Sequence, residues 1–544
     1  MNRVTPKFVL EKWRKPQVSG KIATARVRDT RKTGLPLGFC IIVSQHHFYP
    51  SSVRSHPPRT ENRLMTTPTS EDHLQRRLKL RHIRFIALGT AIGTGLFYGS
   101  SETIQAAGPA VLISYIIAGF AVWIVMRALG EMAVRHPVAG SFANYADRFI
   151  GPYWGFITGW TFTFEMMVVA VADMTAVGKY MGFWYPDTPG WIWMVAALLI
   201  IAALNLLRVS VFGELEFWFT SIKITAIVAM IIGGLYLIVF GINIGGHQTG
   251  VENLVAHDGF APFGVWGIIM SLGIVVFSFG GMETLGMTAG EADDPERAIP
   301  KAVNTVPVRI LVFYVLSIGV MLCLIPWNQI GVDGSPFVQV FGQLGLPAAE
   351  HVMNGVVLTA ALSAMNAIFY AGTRTMYGLA EQGQAPKSFL HTTRDGIPLV
   401  PVFIIVAVIA LGLVAYFIIP DALFLVVASI ATFATVTTWI MILISHHRMR
   451  RELQAAGAAS TSFQLPGWPY LNYIAIAFMV GVMVILAFSA AGRTALIVGL
   501  SWMALLTLAY FFWLPKSARQ RVELEPLEWQ DEKRTLDRQD SRPE

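Results

Sequence analysis

Uninterrupted apolar runs of about membrane length constrain this chain more than any other feature. "VLISYIIAGFAVWIVM" (Val111 to Met126) and "VFIIVAVIALGLVAYFII" (Val402 to Ile419) would need burial on every side. At 1.5 Å per residue, a run of about 20 residues crosses the roughly 30 Å hydrocarbon core of a bilayer. Composition supports the same reading. Of 544 residues, 54% are hydrophobic and 14% are charged, against about 25% charged in soluble domains. Mean hydropathy is +0.54. The pattern predicts an all-α integral membrane protein.

About twelve spans are predicted, at roughly 85–104, 109–130, 151–181, 191–207, 214–241, 262–289, 306–327, 350–380, 400–419, 422–444, 470–491 and 495–514. Basic residues collect in alternate loops. Arg76, Arg77, Lys79, Arg81 and Arg84 precede the first span. Arg135 and Arg148, Arg208, Arg297 and Lys301, Lys387 and Arg394, and Arg448, Arg450 and Arg451 follow in every second loop. The intervening loops carry Arg493 alone. Positive loops stay inside, so both termini are expected in the cytoplasm. The net charge of +7 then reflects topology, and nucleic acid is not an expected partner. Cys40 lies in a polar tail and Cys323 in an apolar segment, which argues against a disulfide framework.

Residues 1–80 are polar, basic and aperiodic, and are expected to be a disordered cytoplasmic region. Met65 is the expected initiator, with 1–64 a mis-called extension. Residues 81–515 form the expected transmembrane domain, and 516–544 a cytoplasmic tail.

Two spans are interrupted by glycine. The first reads "FIALGTAIGTGLFYGS", with Gly89, Gly93, Gly95 and Gly99. The sixth has Gly280 and Gly281 at its centre. Glycine disfavours a helix interior by about 1 kcal/mol relative to alanine, although close helix packing also selects it. The two spans stand five apart, so a five-plus-five inverted repeat would put the breaks in equivalent places. Paired breaks of that kind mark a transporter's central site. Free N–H groups there suit a carboxylate, and free carbonyls suit an ammonium. An amino acid offers both.

Four ionisable residues fall within spans: Glu165, Asp173, Lys223 and Glu283. Such residues are functional candidates by default. Each also has a plainer reading. Glu283 can cap the second half of its broken helix. Glu165 and Asp173 can be polar packing residues. Lys223, preceded by Glu214 and Glu216, can snorkel to the surface or, if buried, exchange a proton. "HHR" at His446 to Arg448 reads as a cytoplasmic anchor. No P-loop, nucleophile–base set or metal cluster is apparent, so neither an enzyme nor an ATP motor is expected, and no cofactor or metal.

Several longer motifs then become familiar. "GTAIGTGLFYGS", "RALGEMAVRHPVAGSFANYA", "FGELEFWFTSIK", "FSFGGMETLGMTAGEADDPERAIPKAVN" and "SAMNAIFYAGTRTMYGLAEQGQAPKSF" followed by "RDGIP" resemble the amino-acid permeases of the amino acid–polyamine–organocation superfamily. Within it, the chain looks most similar to bacterial proline-specific permeases and their histidine-transporting relatives. The resemblance covers about residues 78–515. It implies the leucine-transporter-type fold, ten core helices in a 5+5 inverted repeat plus two peripheral ones. It implies substrate carboxylate on the backbone around Ile92, Gly93, Thr94 and Gly95, and substrate ammonium on carbonyls near Ala91 and Phe279. Gly280 and Gly281 would allow close approach. Lys223 matches a span-five lysine that replaces a sodium ion in proton-coupled relatives. The stretch Glu291 to Pro300 reads as structural.

Asn366 is followed by Ala367, where many relatives have serine. Glu165 stands where apolar or aromatic residues are common, and could face the substrate side chain. Glu283, Asp173 and Asn366 are read as gating or polar support. The expected function is import of proline or histidine by proton symport and alternating access, in a bacterial cytoplasmic membrane. An exchanger or sodium-coupled carrier of the same fold is the alternative, and a membrane amino-acid sensor the alternative from another class. Oligomeric state is not legible.

Overall fold

The computed structural model describes residues 92–519, apart from 139, 207–208, 247, 288–294, 332–333, 344–346, 394–395 and 458–462. The N-terminal region, Ala91, the basic cluster before the first span and most of the C-terminal tail lie outside the described residues, as does most of the "AGEADDPE" stretch. Among the described residues there are helices and turns but no strand, only isolated bridges such as the one between Thr392 and Pro398.

Helices α1 (Thr94–Phe97) and α2 (Gly99–Ala107) make up the first span after its break. Then come α3 (Val111–Arg135), α4 (Ser141–Phe149), α5 (Pro152–Gly182), α6 (Gly190–Asn205) and α7 (Val209–Phe240). The sixth span is α8 (Gly264–Phe279) and α9 (Thr284–Met287). The seventh is α10 (Pro295–Asn304), α11 (Val306–Ile310), a π turn at Leu311–Leu316 and α12 (Ser317–Leu324). A short α13 (Pro336–Gln343) precedes α14 (Pro347–Glu381), α15 (Leu399–Ile418), α16 (Leu423–Ala455), α17 (Tyr470–Leu486) and α18 (Ala490–Phe512).

Among the described residues, nine stretches are long and apolar enough to cross a membrane, and α6 and α17 are shorter apolar helices. One of the nine, Gly99–Arg135, is itself divided. Gly108, at φ 61° and followed by Pro109, turns the chain between α2 and α3. With that division, the predicted spans each have a helix. Helical geometry is what the sequence permits, because a helix satisfies its own backbone where water is absent. The ends are punctuated as expected. Pro152 occupies the first turn of α5, where its missing N–H loses nothing. Ser489 caps α18 by accepting from the Gly492 N–H at 2.9 Å.

Burial separates two kinds of helix. The apolar windows of α5 and α16 are 78% and 89% buried, while those of α15 and α18 are each 22% buried. The first pair, with α14 packed along α5, forms the scaffold. The second pair presents Leu411, Phe417, Leu500 and Phe512 outward, as lipid-facing helices do.

Candidate substrate site between the broken helices

The two breaks meet. At the first, Ile92 and Gly93 precede α1, and Gly93 is extended at φ −122°, ψ −161°. No side chain caps α1, so its first N–H groups have no intrahelical partner. At the second, Gly280 is extended and Gly281 has φ 89°, a conformation that glycine adopts freely. A Cβ on Gly95 would stand 2.6 Å from the Ser278 Cα. The backbones therefore touch there, and only glycine fits. Ser278 fastens the contact by donating its hydroxyl to the Gly95 carbonyl at 2.9 Å. Tyr314, in the π turn, donates its hydroxyl to the Ser278 carbonyl at 2.8 Å.

A cavity opens beside this crossing. Gly93, Thr94 and Gly95 line one wall, and Phe277, Ser278, Gly280, Gly281 and Thr284 another. The scaffold closes it with Met166, Val169 and Asp173 from α5 and with Ala364, Ala367 and Ile368 from α14. Tyr98, Phe277 and Phe424 pack edge to face at its side, with Tyr98 and Phe424 centroids 4.5 Å apart. The lining is largely apolar. Its carboxylate, Asp173, is buried and accepts the Thr94 hydroxyl at 2.5 Å on Oδ1, while Oδ2 has no donor.

Of the sequence-predicted residues, Gly93, Thr94, Gly95, Gly280 and Gly281 line the cavity. Ile92 contributes its carbonyl through Lys223. Phe279 is fully buried and packs on Tyr115 and Tyr314, centroids 6.0 and 4.7 Å away. Ala367 lines the cavity, so the position expected to lack a polar contact is an apolar wall. Asn366 stands outside the lining and accepts from Asn205 at 3.0 Å. Glu165 also stands outside it, one layer behind Gly280. It accepts the Thr435 hydroxyl at 2.6 Å.

Lys223 does not snorkel. It is fully buried and donates to the Ile92 carbonyl at 3.1 Å and to Ser363 Oγ at 3.0 Å. Ser363 Oγ lies 2.8 Å from both carboxylate oxygens of Glu216, and Thr220 donates to Glu216 at 3.2 Å. Glu216, which precedes Lys223 in the sequence and would favour a snorkelling lysine if exposed, is itself fully buried. The signal was present: Glu216, Thr220 and Lys223 are spaced i, i+4, i+7 and share a helix face. His446 likewise departs from its reading as an anchor. It is buried, with Nε2 3.0 Å from Glu131. Glu131 also accepts the Leu465 N–H at 2.7 Å and pairs with Arg450 at 3.2 Å. No group of His, Cys, Asp and Glu among the described residues could hold a metal ion.

The amino acid permease family model matches residues 82–523. The chain belongs to the amino acid permease family. The permease is 43% identical over 441 residues to "Uncharacterized amino acid permease YtnA" of Bacillus subtilis strain 168, covering 81% of this chain and 95% of that one. It is also 43% identical over 441 residues to "Aromatic amino acid transport protein AroP" of Escherichia coli strain K12, covering 81% and 96%. The Salmonella typhimurium protein of the same name is 44% identical over 423 residues, covering 78% and 92%. The permease is thus a multi-pass membrane transporter of amino acids, not an enzyme. The expected likeness to proline- and histidine-transporting members gives way to one with relatives named for aromatic amino acids.

Proposed function

We propose that this permease imports a neutral amino acid with a large apolar or aromatic side chain by proton symport. The carrying observation is the Lys223 ammonium on the Ile92 carbonyl at the first break. A cation held there by protein leaves no need for a sodium ion. Its proton can leave when the Glu216–Ser363 network or the break rearranges, which would tie the charge state of α7 to the shape of the site.

The substrate carboxylate would take the backbone N–H groups around Gly93 to Gly95, and the ammonium would take the unpaired Asp173 oxygen and nearby carbonyls. The side chain would lie against Met166, Val169, Phe277 and Ile368, with the small Ala364 and Ala367 leaving room. This supports an aromatic substrate, as do the names of the relatives. Histidine and proline are the competitors to exclude. The protein would reside in a bacterial cytoplasmic membrane with both termini inside.

The test is uptake of labelled phenylalanine into proteoliposomes under an imposed pH gradient, challenged by each of the other amino acids. Tyrosine and tryptophan should compete at least tenfold better than proline or histidine; equal competition by proline overturns the side-chain assignment. Lys223→Met should lose gradient-driven uptake and retain binding. Undiminished uptake would remove Lys223 from the coupling step.

A further inference from the structure

Buried side chains of α7 and α14 form an ordered chain of donors and acceptors. Lys223 Nζ donates to Ser363 Oγ at 3.0 Å. The Ser363 hydroxyl in turn donates towards Glu216, 2.8 Å from each of its oxygens. Thr220 adds a donor to Glu216 Oε1 at 3.2 Å. Lys223, Ser363, Thr220 and Glu216 are all fully buried. Here a hydroxyl stands between a cation and an anion, accepting from one and donating to the other. That is the arrangement that passes a proton from a positioned acid to a positioned base.

The chain has a direction. Lys223 touches the first break through the Ile92 carbonyl at 3.1 Å. Glu216 precedes Lys223 by seven residues on α7, a displacement of about 10 Å along the helix axis. The end it approaches follows the Arg208 loop, which the distribution of basic residues puts inside. The donors and acceptors therefore run from the substrate site towards the cytoplasmic end of α7.

Other charges stand apart from it. Helix α7 packs on α14, α12 and α6. Helices α6 and α12 carry no Asp, Glu, His, Lys or Arg. On α14, Arg374 and His351 are 11 and 12 residues from Ser363, with Glu350 and Glu381 farther off, a separation of about 16 Å or more along the axis. Asp173 on α5 is engaged by Thr94, and Glu283 by the Gly281 and Trp439 N–H groups, both at 3.1 Å. Glu214 is two residues from Glu216 and so lies on another side of α7.

We propose that Ser363 and Glu216 relay the Lys223 proton towards the cytoplasm, with Glu216 as its acceptor. The relay rests on the proton-symport reading above. One N–H bond of the ammonium breaks as that proton bonds to Ser363 Oγ, and the original Ser363 hydroxyl proton passes to a Glu216 oxygen. Lys223 becomes an amine, Glu216 a carboxylic acid, and Ser363 regains its hydroxyl. The pair carries no net charge before or after, so the transfer leaves no uncompensated charge in the interior. Glu216 then gives the proton to water when the cytoplasmic side opens, and a proton from the outer side recharges Lys223. A neutral amine holds the Ile92 carbonyl more weakly than an ammonium does, so departure of the proton loosens the first break.

The full-length permease in proteoliposomes tests the relay. The probe is a labelled mixture of the common amino acids, so the result does not depend on which side chain the cavity prefers. Two modes are compared. One is accumulation driven by a pH gradient, acid outside. The other is exchange of labelled for unlabelled amino acids at a single pH, where Lys223 need not lose its proton. Glu216→Gln and Ser363→Ala should slow accumulation by about a hundredfold, the lower end of what a positioned proton-transfer group contributes, and leave exchange within about twofold. Ser363→Thr keeps the hydroxyl and should recover accumulation.

Equal losses in both modes would make the two residues structural and overturn the relay. A wild type that follows the gradient, with variants that keep pace, overturns the relay alone. A wild type that exchanges but ignores the gradient overturns the symport reading and the relay with it. Should Glu216→Gln not fold, Ser363→Ala, which removes a single heavy atom, decides the relay by the same comparison.

Discussion

Gly95 and Gly93 stand two residues apart, yet the structure asks different things of them. An added Cβ at Gly95 meets the Ser278 Cα at 2.6 Å, a backbone atom that cannot swing aside. At Gly93 it would meet only the Ala364 Cβ at 3.6 Å, an ordinary contact. Gly95→Ala should therefore destabilise the folded permease by about 1–3 kcal/mol, the range for overpacking, and abolish binding. Gly93→Ala should melt close to wild type and lose affinity only, because that residue lines the cavity. Thermal melts in detergent, paired with ligand binding, separate the two; equal melts would show that the crossing is looser than its geometry. The sequence flagged both glycines but could not rank them, since the rank depends on Ser278, 183 residues away. It also picked out Lys223 and Glu165 while missing the partners that define them. Glu216 was legible from its helical spacing. Thr435 and Trp439 were not, because no local pattern distinguishes a tenth-span threonine facing Glu165 from one facing its own helix.

At the scale of elements, α3, α16 and the chain entering α17 are joined at one buried carboxylate. Glu131 holds the His446 ring, the Leu465 N–H and the Arg450 guanidinium. Arg127 reinforces the join by donating to the Gln464 carbonyl at 2.7 Å and stacking over Phe463 at 3.6 Å. Removing one partner of a buried ionic cluster strands the others, at a cost of about 3–5 kcal/mol. Glu131→Ala should lower the melting temperature and speed proteolysis before α17. Lys179→Ala is the contrast, since its 3.8 Å contact with Asp421 lies in the open. Exposed pairs contribute little, so that variant should melt with wild type. Similar melts for both variants would show that Glu131 is not a structural junction. Element positions were largely legible from apolar runs and from proline and glycine punctuation. The π turn at Leu311–Leu316 was not, because nothing in "LVFYVL" separates an i+5 turn from an ordinary helix.

Across the whole molecule, the alternation of loops rich in Lys and Arg with loops nearly devoid of them predicts which face is which. Single cysteines at His257 and Lys387, in a background lacking Cys40 and Cys323, test it with a membrane-impermeant maleimide. Position 257 should label in intact cells and position 387 only after permeabilisation; the reverse would invert the topology. The same scale shows where the molecule can and cannot part. Tyr314 is sewn to Ser278 and Ser278 to Gly95, so two stitches tie the first, sixth and seventh spans together. A cavity enclosed by such a seam does not open by unpicking it. Any transport cycle that widens the cavity is therefore expected to carry those three spans together as one lever.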